Sequence, residues 1–247
     1  MKILKTLKNI GEFIENIFAT EHSCMGCAKE IPDGTDFQLC DRCLDEIEFI
    51  GDMVCTKCGD RLDGTLHCNA CDGFDYHFDS NRSVCYYGQV SASIIKALKY
   101  DSRKYYAKHI AKLLAKDRSV FENIDVITFV PMSNKRRRVR GFNQAEEIAK
   151  EVALLVKIPV VELIKKVKDD GKNQAKSTQK ERLENLKGTF ELTDNAKVEI
   201  FKKRVLIIDD VFTTGATLSE CAKILKTEKP SEVHTLTFAK TKAISIK

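Results

Sequence analysis

Apolar residues run without interruption through Val205, Leu206, Ile207 and Ile208, and two carboxylates, Asp209 and Asp210, follow at once. A short continuous apolar run suits a parallel strand covered on both faces. Val211, Phe212, Thr213, Thr214, Gly215, Ala216 and Thr217 come next, and then apolar positions recur at helical spacing: Leu218, Cys221, Ala222 and Leu225. The pattern predicts strand, polar loop and helix, with the acids where the strand ends. Residues 125–130 predict a second strand, stopped by Pro131. A helix after residue 144 carries Ala145, Ile148, Ala149, Val152 and Leu155 on its inner face. Residues 84–88 read as a strand closing on a turn, and residues 91–100 and 105–114 as two amphipathic helices. Their cations, among them Lys96 and Lys99, fall on a solvated side. Residues 189–192 predict an edge or hood strand, 199–204 a polar lead-in, and 233–238 a last strand after Pro230. Strands alternating with helices imply an α/β domain over residues 79–247. Its central sheet is parallel, and a ligand binds beyond the carboxyl ends of the strands.

Composition divides the chain. It has 247 residues, 43% hydrophobic and 31% charged, enough for one ordinary domain and a small one. The net charge of +5 hides an asymmetry: residues 1–80 carry 7 Lys and Arg against 16 Asp and Glu, and residues 81–247 carry 34 against 20. An acidic front on a basic body implies modules with different partners, the basic one attracting phosphate groups. No apolar stretch is long enough to span a bilayer. Residues 1–22 predict an amphipathic helix, with Lys2, Lys5 and Lys8 set among Ile3, Leu7, Ile10, Ile14 and Ile17. They lack the uninterrupted apolar core of a secretory signal, so a cytoplasmic location is expected.

Eight of the ten cysteines form Cys-x-x-Cys pairs within residues 23–78: Cys24/Cys27, Cys40/Cys43, Cys55/Cys58 and Cys68/Cys71. In a cytosolic chain such pairs indicate zinc, because the two-residue gap turns both sulfurs toward one metal. Sequential assignment gives two structural zinc sites, Cys24, Cys27, Cys40 and Cys43, then Cys55, Cys58, Cys68 and Cys71. Cross-bracing, first pair with third and second with fourth, fits the spacing as well. His22, His67 and His77 read as bystanders, and Cys85 and Cys221 as buried structural thiols. This module is too acidic to favour direct contact with a phosphate backbone.

The strand–acid–loop stretch carries the clearest chemistry. Carboxylates accept hydrogen bonds from vicinal ribose hydroxyls, while loop N–H groups and the positive end of the next helix hold a phosphate. Thr213, Thr214 and Thr217 add hydroxyls, and Gly215 lets the backbone approach closely. The thirteen residues 205–217 resemble the phosphoribosyl pyrophosphate (PRPP) motif of type I phosphoribosyltransferases. Under that resemblance Asp209 and Asp210 are the catalytic, ribose-holding carboxylates, Thr213 to Thr217 (Thr213, Thr214, Gly215, Ala216 and Thr217) anchor the 5′-phosphate, and Val211 is among the PRPP-binding residues. Mg²⁺ accompanies PRPP. The basic run after the second strand, Ser133, Asn134, Lys135 and Arg136, holds the departing pyrophosphate.

Arg140-Gly141-Phe142-Asn143-Gln144-Ala145, between that basic run and a helix, resembles the signature of the ComF family. This family of phosphoribosyltransferase-like proteins is associated with natural competence for DNA uptake, and it too has an N-terminal double zinc ribbon. The resemblance runs from about Cys24 to the C-terminus. It implies a type I phosphoribosyltransferase fold and a mobile loop matched by Gln174, Arg182 and Asn185. As function it implies PRPP-linked handling of single-stranded DNA on the basic domain. Two other readings stand beside it. One is phosphoribosyl transfer to an unidentified acceptor. The other is an adaptor docking a helicase or recombination mediator, from which residues 23–78 could be removed with PRPP binding intact.

Overall fold

Four parallel strands form the sheet of the computed structural model, in the order β1 (Ser80–Tyr86), β6 (Glu232–Lys240), β5 (Arg204–Phe212) and β2 (Val126–Phe129). The structure describes residues 22–62, 64, 68, 71, 74–100, 103–168, 186–194 and 196–242. The amphipathic segment 1–21, the loop residues Gln174, Arg182 and Asn185, and His67 lie outside them. Beyond β2 the chain adds one more parallel bridge, Ile127 to Val160. It then crosses to β5 on the opposite side of β2. Strand order thus reverses at β2, the kind of switch point at which open α/β sheets form a crevice at the carboxyl ends of their strands, here those of β2 and β5.

Each face of the sheet is covered, as the apolar runs require. Leu206, Ile208, Ile127, Phe129, Leu236 and Phe238 pack against α2 (Gln89–Tyr100), α3 (Tyr106–Leu114) and α5 (Gln144–Val156). Val205, Ile207, Val126 and Val233 pack against α6 (Ala196–Ile200), α7 (Ala216–Lys226) and a small antiparallel pair, β3 (Ile164–Lys166) with β4 (Phe190–Leu192). The expected inner faces are buried throughout, except that Leu155, in the last turn of α5, is exposed. Cys85 and Cys221 are buried, as expected of structural thiols.

Two elements differ from the sequence pattern. β5 does not stop at the acids but continues to Phe212, because Asp209, Val211 and Phe212 stay in register with Thr237, Ala239 and Lys240 of β6. The basic run after Pro131 is a helix, α4 (Asn134–Arg140), rather than a loop. It has no buried residue, so hydrophobic period could not mark it; Ser133 caps its start and Gly141, at φ 86°, ends it.

The cysteine module clasps the edge of the sheet. Its first half, containing α1 (Asp41–Glu46), puts Cys24, Met25, Ile31, Leu39, Cys43 and Ile47 into the core shared with α2 and α3. Residues 48–50 then pair with the outer edge of β1: the Ile50 N–H donates to Val84 O at 3.0 Å, and the Tyr86 N–H to Glu48 O at 2.8 Å. The second half puts Cys55 and Cys58 into the core on the opposite face. Removing residues 23–78 would therefore uncover apolar surface on both layers, which argues against a detachable adaptor.

Candidate functional site

β2 ends one residue before Val130, whose N–H donates to Ile208 O at 3.0 Å, and Pro131 then turns the chain away. Among the described residues, β5 from Asp209 onward is paired only on its β6 side. The acids thus stand on the free edge of a strand that is otherwise fully covered. Side-chain alternation also slips here. Ile208 and Phe212, an even number of residues apart, belong to cores on opposite faces of the sheet. Up to Asp210 the alternation is regular: Asp210, in phase with Leu206 and Ile208, turns toward α2, and Asp209, in phase with Val205 and Ile207, lies near Cys221 of α7, so the slip falls just after the acids.

Asp210 is buried and pairs with the Lys99 ammonium from α2. Burial works against the charge on Lys99, but the Asp210 carboxylate outweighs it and raises the lysine's pKa. The Asp209 carboxyl is pushed well above the usual carboxylate range by burial, with the Asp210 charge adding to it. Its Oδ1 accepts the Asp210 N–H at 2.8 Å. Two carboxyl groups thus meet one ammonium here, an arrangement that hydrogen-bond donors such as a pair of vicinal hydroxyls would complement.

The residues expected to hold the 5′-phosphate follow directly. Gly215 sits at φ 74°, and a Cβ there would lie 2.6 Å from Phe212 Cζ and 2.7 Å from Tyr76 Cε1, so only glycine fits. Thr214 Oγ1 accepts the Ala216 N–H at 3.4 Å and Gly215 O the Ser219 N–H at 2.8 Å, so the N–H groups of Thr217 and Leu218 lie within the first turn of α7, where a helix start can meet an anion. Thr213 is exposed, and Thr214 and Thr217 are half-buried. Val211 lines a groove of about 640 Å³ with Tyr87, Ile95, Lys96, Lys99 and Thr241, between α2 and the carboxyl ends of β1, β5 and β6.

On the other side of the crevice, Ser133 Oγ accepts the Arg136 N–H at 3.4 Å, so that N–H serves the helix cap. Asn134, Lys135 and Arg136 are exposed at the start of α4. The 140–145 signature has a structural role. Asn143 accepts from the Ala145 N–H at 3.2 Å to cap α5, and its Nδ2 donates to Val130 O at 2.9 Å, fastening that helix to the end of β2. Arg140 donates to Gln144 Oε1 at 3.2 Å and lies near enough to Lys99 to oppose its charge. Gln144 Nε2 is buried without a hydrogen-bond partner.

The thiols form two groups, Cys24, Cys27, Cys40 and Cys43, and Cys55, Cys58, Cys68 and Cys71, with all sulfurs of a group within 4.8 Å of one another. This is the sequential grouping, not the cross-braced one. Three sulfur pairs lie at 3.8, 3.7 and 3.5 Å. A tetrahedral site with Zn–S bonds of about 2.3 Å has sulfur–sulfur edges of about 3.8 Å, so the sulfurs fit zinc. His22 pairs with Asp33 and His77 with Ser219, outside both groups. Beside the second group, buried Lys240 lies 3.6 Å from Asp60 and 4.4 Å from the centre of the Phe212 ring.

Fold and site together define a type I phosphoribosyltransferase domain. The chain belongs to the phosphoribosyl transferase domain family, whose model matches residues 105–245, and a double zinc ribbon domain matches residues 14–72. Among individual proteins it is similar to Competence protein F of Haemophilus influenzae, 28% identical over 210 residues, covering 82% of this chain and 83% of that one. It is also similar to Competence protein ComFC of Streptococcus pneumoniae (26% over 210 residues; 83% and 89% covered) and of Bacillus subtilis (26% over 229 residues; 82% and 84%).

Two residues at the site escaped the sequence pattern. Lys99 reads as part of a solvated face, although it follows inward-facing Ile95 by one helical turn, a spacing that could have shown it. Tyr76 lies between modules, and nothing local signals that its hydroxyl reaches Thr214 O, at 3.2 Å.

Proposed function

We propose that this protein binds PRPP with Mg²⁺ at the crevice between β2 and β5 and serves natural competence by handling incoming single-stranded DNA. The observation that carries the reading is the pair Asp209–Asp210 on the unpaired edge of β5, running into a Gly215-dependent loop and the start of α7. Asp209 and Asp210 accept the ribose hydroxyls and stabilise positive charge developing on the ring. Val211 and Thr213 to Thr217 surround the 5′-phosphate. Ser133, Asn134, Lys135 and Arg136 face the pyrophosphate, with backbone N–H groups of Asn134 and Lys135 and the two side-chain charges as donors. Mg²⁺ bound together with PRPP would offset part of the pyrophosphate charge, the remainder of which Lys135 and Arg136 meet. The groove along Tyr87 and Lys96 gives an acceptor or a DNA base access to the anomeric carbon.

Similarity to competence proteins supports the cellular role. Among the described residues no helix is long and apolar enough to cross a membrane, so work on DNA at the cytoplasmic face belongs to the proposal.

Calorimetry with Mg²⁺–PRPP tests the site. Asp209→Asn with Asp210→Asn should weaken binding by about 100-fold, through loss of charge-assisted hydrogen bonds. Unchanged affinity would remove these carboxylates from the site. Transformation frequency in a deletion strain, complemented with wild type or the double variant at equal protein level, tests the role. A deletion without a transformation defect would end the competence assignment. Pyrophosphate release on addition of single-stranded DNA would show turnover.

A further inference from the structure

We propose that the second tetracysteine unit is a working part of the phosphate loop, with Tyr76 as the positioning residue that joins them; this rests on the loop binding the 5′-phosphate of PRPP. Tyr76 follows the fourth cysteine of that unit, Cys71, by five positions. Its hydroxyl donates to Thr214 O at 3.2 Å. Its ring stacks on Phe78 at 4.8 Å and meets Phe212 edge-on at 6.0 Å, while Phe74 stacks on its far side at 6.1 Å. The Tyr76 ring occupies the space a Cβ on Gly215 would need. The glycine that opens the loop to a phosphate thus also admits the aromatic ladder beneath it.

The next residue extends the attachment. The His77 N–H donates to Ser219 Oγ at 3.0 Å, and His77 Nδ1 lies 3.0 Å from the same oxygen, so the segment is fixed to the first turns of α7 as well. A third link runs through Lys240, held between Asp60 and the Phe212 ring. Asp60 lies two residues past Cys58 and also accepts from Tyr86 OH at 2.5 Å. Carbonyl, helix start and loop-entry aromatic are therefore all set by residues beside Cys58 and Cys71. A carbonyl at position 214 that is held back by Tyr76 stays clear of an incoming anion, toward which an unanchored peptide could turn its oxygen.

The test compares two probes on the full chain with zinc bound. Ribose 5-phosphate reports the loop, and pyrophosphate reports the opposite side of the crevice. Tyr76→Phe keeps the ring and loses only the hydroxyl, so zinc content and melting temperature should stay at wild-type values. Affinity for ribose 5-phosphate should fall about 3- to 10-fold while that for pyrophosphate is unchanged. Ser219→Ala, which releases His77, should produce the same selective loss if Tyr76→Phe does not fold. Equal ribose 5-phosphate affinity in wild type and both variants overturns the proposal and leaves the site intact. Equal losses for both probes also overturn it, because they show general loosening. No ribose 5-phosphate binding by wild type overturns the phosphate-loop reading, and this proposal with it.

Discussion

If Asp209 holds ribose hydroxyls, it is where fold stability and ligand binding pull against each other. Burial and the neighbouring Asp210 hold its carboxyl above the usual range. A folded-state pKa above the unfolded one means that the protonated form supports the fold, and that support is lost as pH rises. Above that raised pKa the ionised Asp209 is therefore a cost to the fold. Asp209→Asn should raise the melting temperature most at alkaline pH, with the gain shrinking as pH falls through the raised pKa and the wild-type carboxyl takes up its proton. Melting curves across a pH series check this; a variant less stable than wild type at the alkaline end would contradict it. The two acids themselves were legible in the sequence, because carboxylates placed directly after four buried β residues have no packing purpose. Lys99 was legible only in its spacing from Ile95, because its partner Asp210 lies on a different element. Tyr76 was hidden for the same reason: its bond to Thr214 spans 138 positions.

Among the elements, legibility followed burial. The helices with an apolar stripe and the strands with continuous apolar runs lie where the pattern puts them, within a few residues. β5 ran on past its apolar run because β6 holds it in register to Phe212, a pairing outside the strand's own sequence. α4 carried its signal only in its caps, Ser133 and Gly141, with five cations between them. Its exposure suits contact with a phosphate backbone. Arg137 is occupied by Glu146 at 2.9 Å, while Arg136 and Arg138 are exposed. If α4 touches single-stranded DNA, Arg136→Gln with Arg138→Gln should lower the slope of log affinity against log salt by about 1.4, or about 0.7 per lost phosphate contact. Fluorescence anisotropy of a labelled oligonucleotide across a salt series measures it. An unchanged slope would move DNA off this helix.

At the scale of the whole molecule, the cysteine module differs from an appended ribbon in having its halves on opposite faces of one sheet. The split assigns them different work. Cys24 and Cys43 share the core of α2 and α3, on the side of Lys99, whereas Cys55 and Cys58 share the core of Phe78, Phe212 and α7, on the side of the phosphate loop. Thiolate sites hold small modules together through the metal, so loss of one zinc should loosen only the layer it serves. Hydrogen exchange on the purified protein resolves this residue by residue. Cys68→Ser should speed amide exchange across residues 212–219 and weaken Mg²⁺–PRPP binding. Cys27→Ser, at the exposed corner of the first group, should speed exchange in residues 24–47 and leave 212–219 protected. Equal exchange across 212–219 in both variants would mean that the zincs support the fold as a whole. Unchanged exchange there in Cys68→Ser would disconnect the second zinc from the loop. The selective outcome would make zinc occupancy of one ribbon a condition for PRPP binding, and would explain on physical grounds why these two domains occur in one chain.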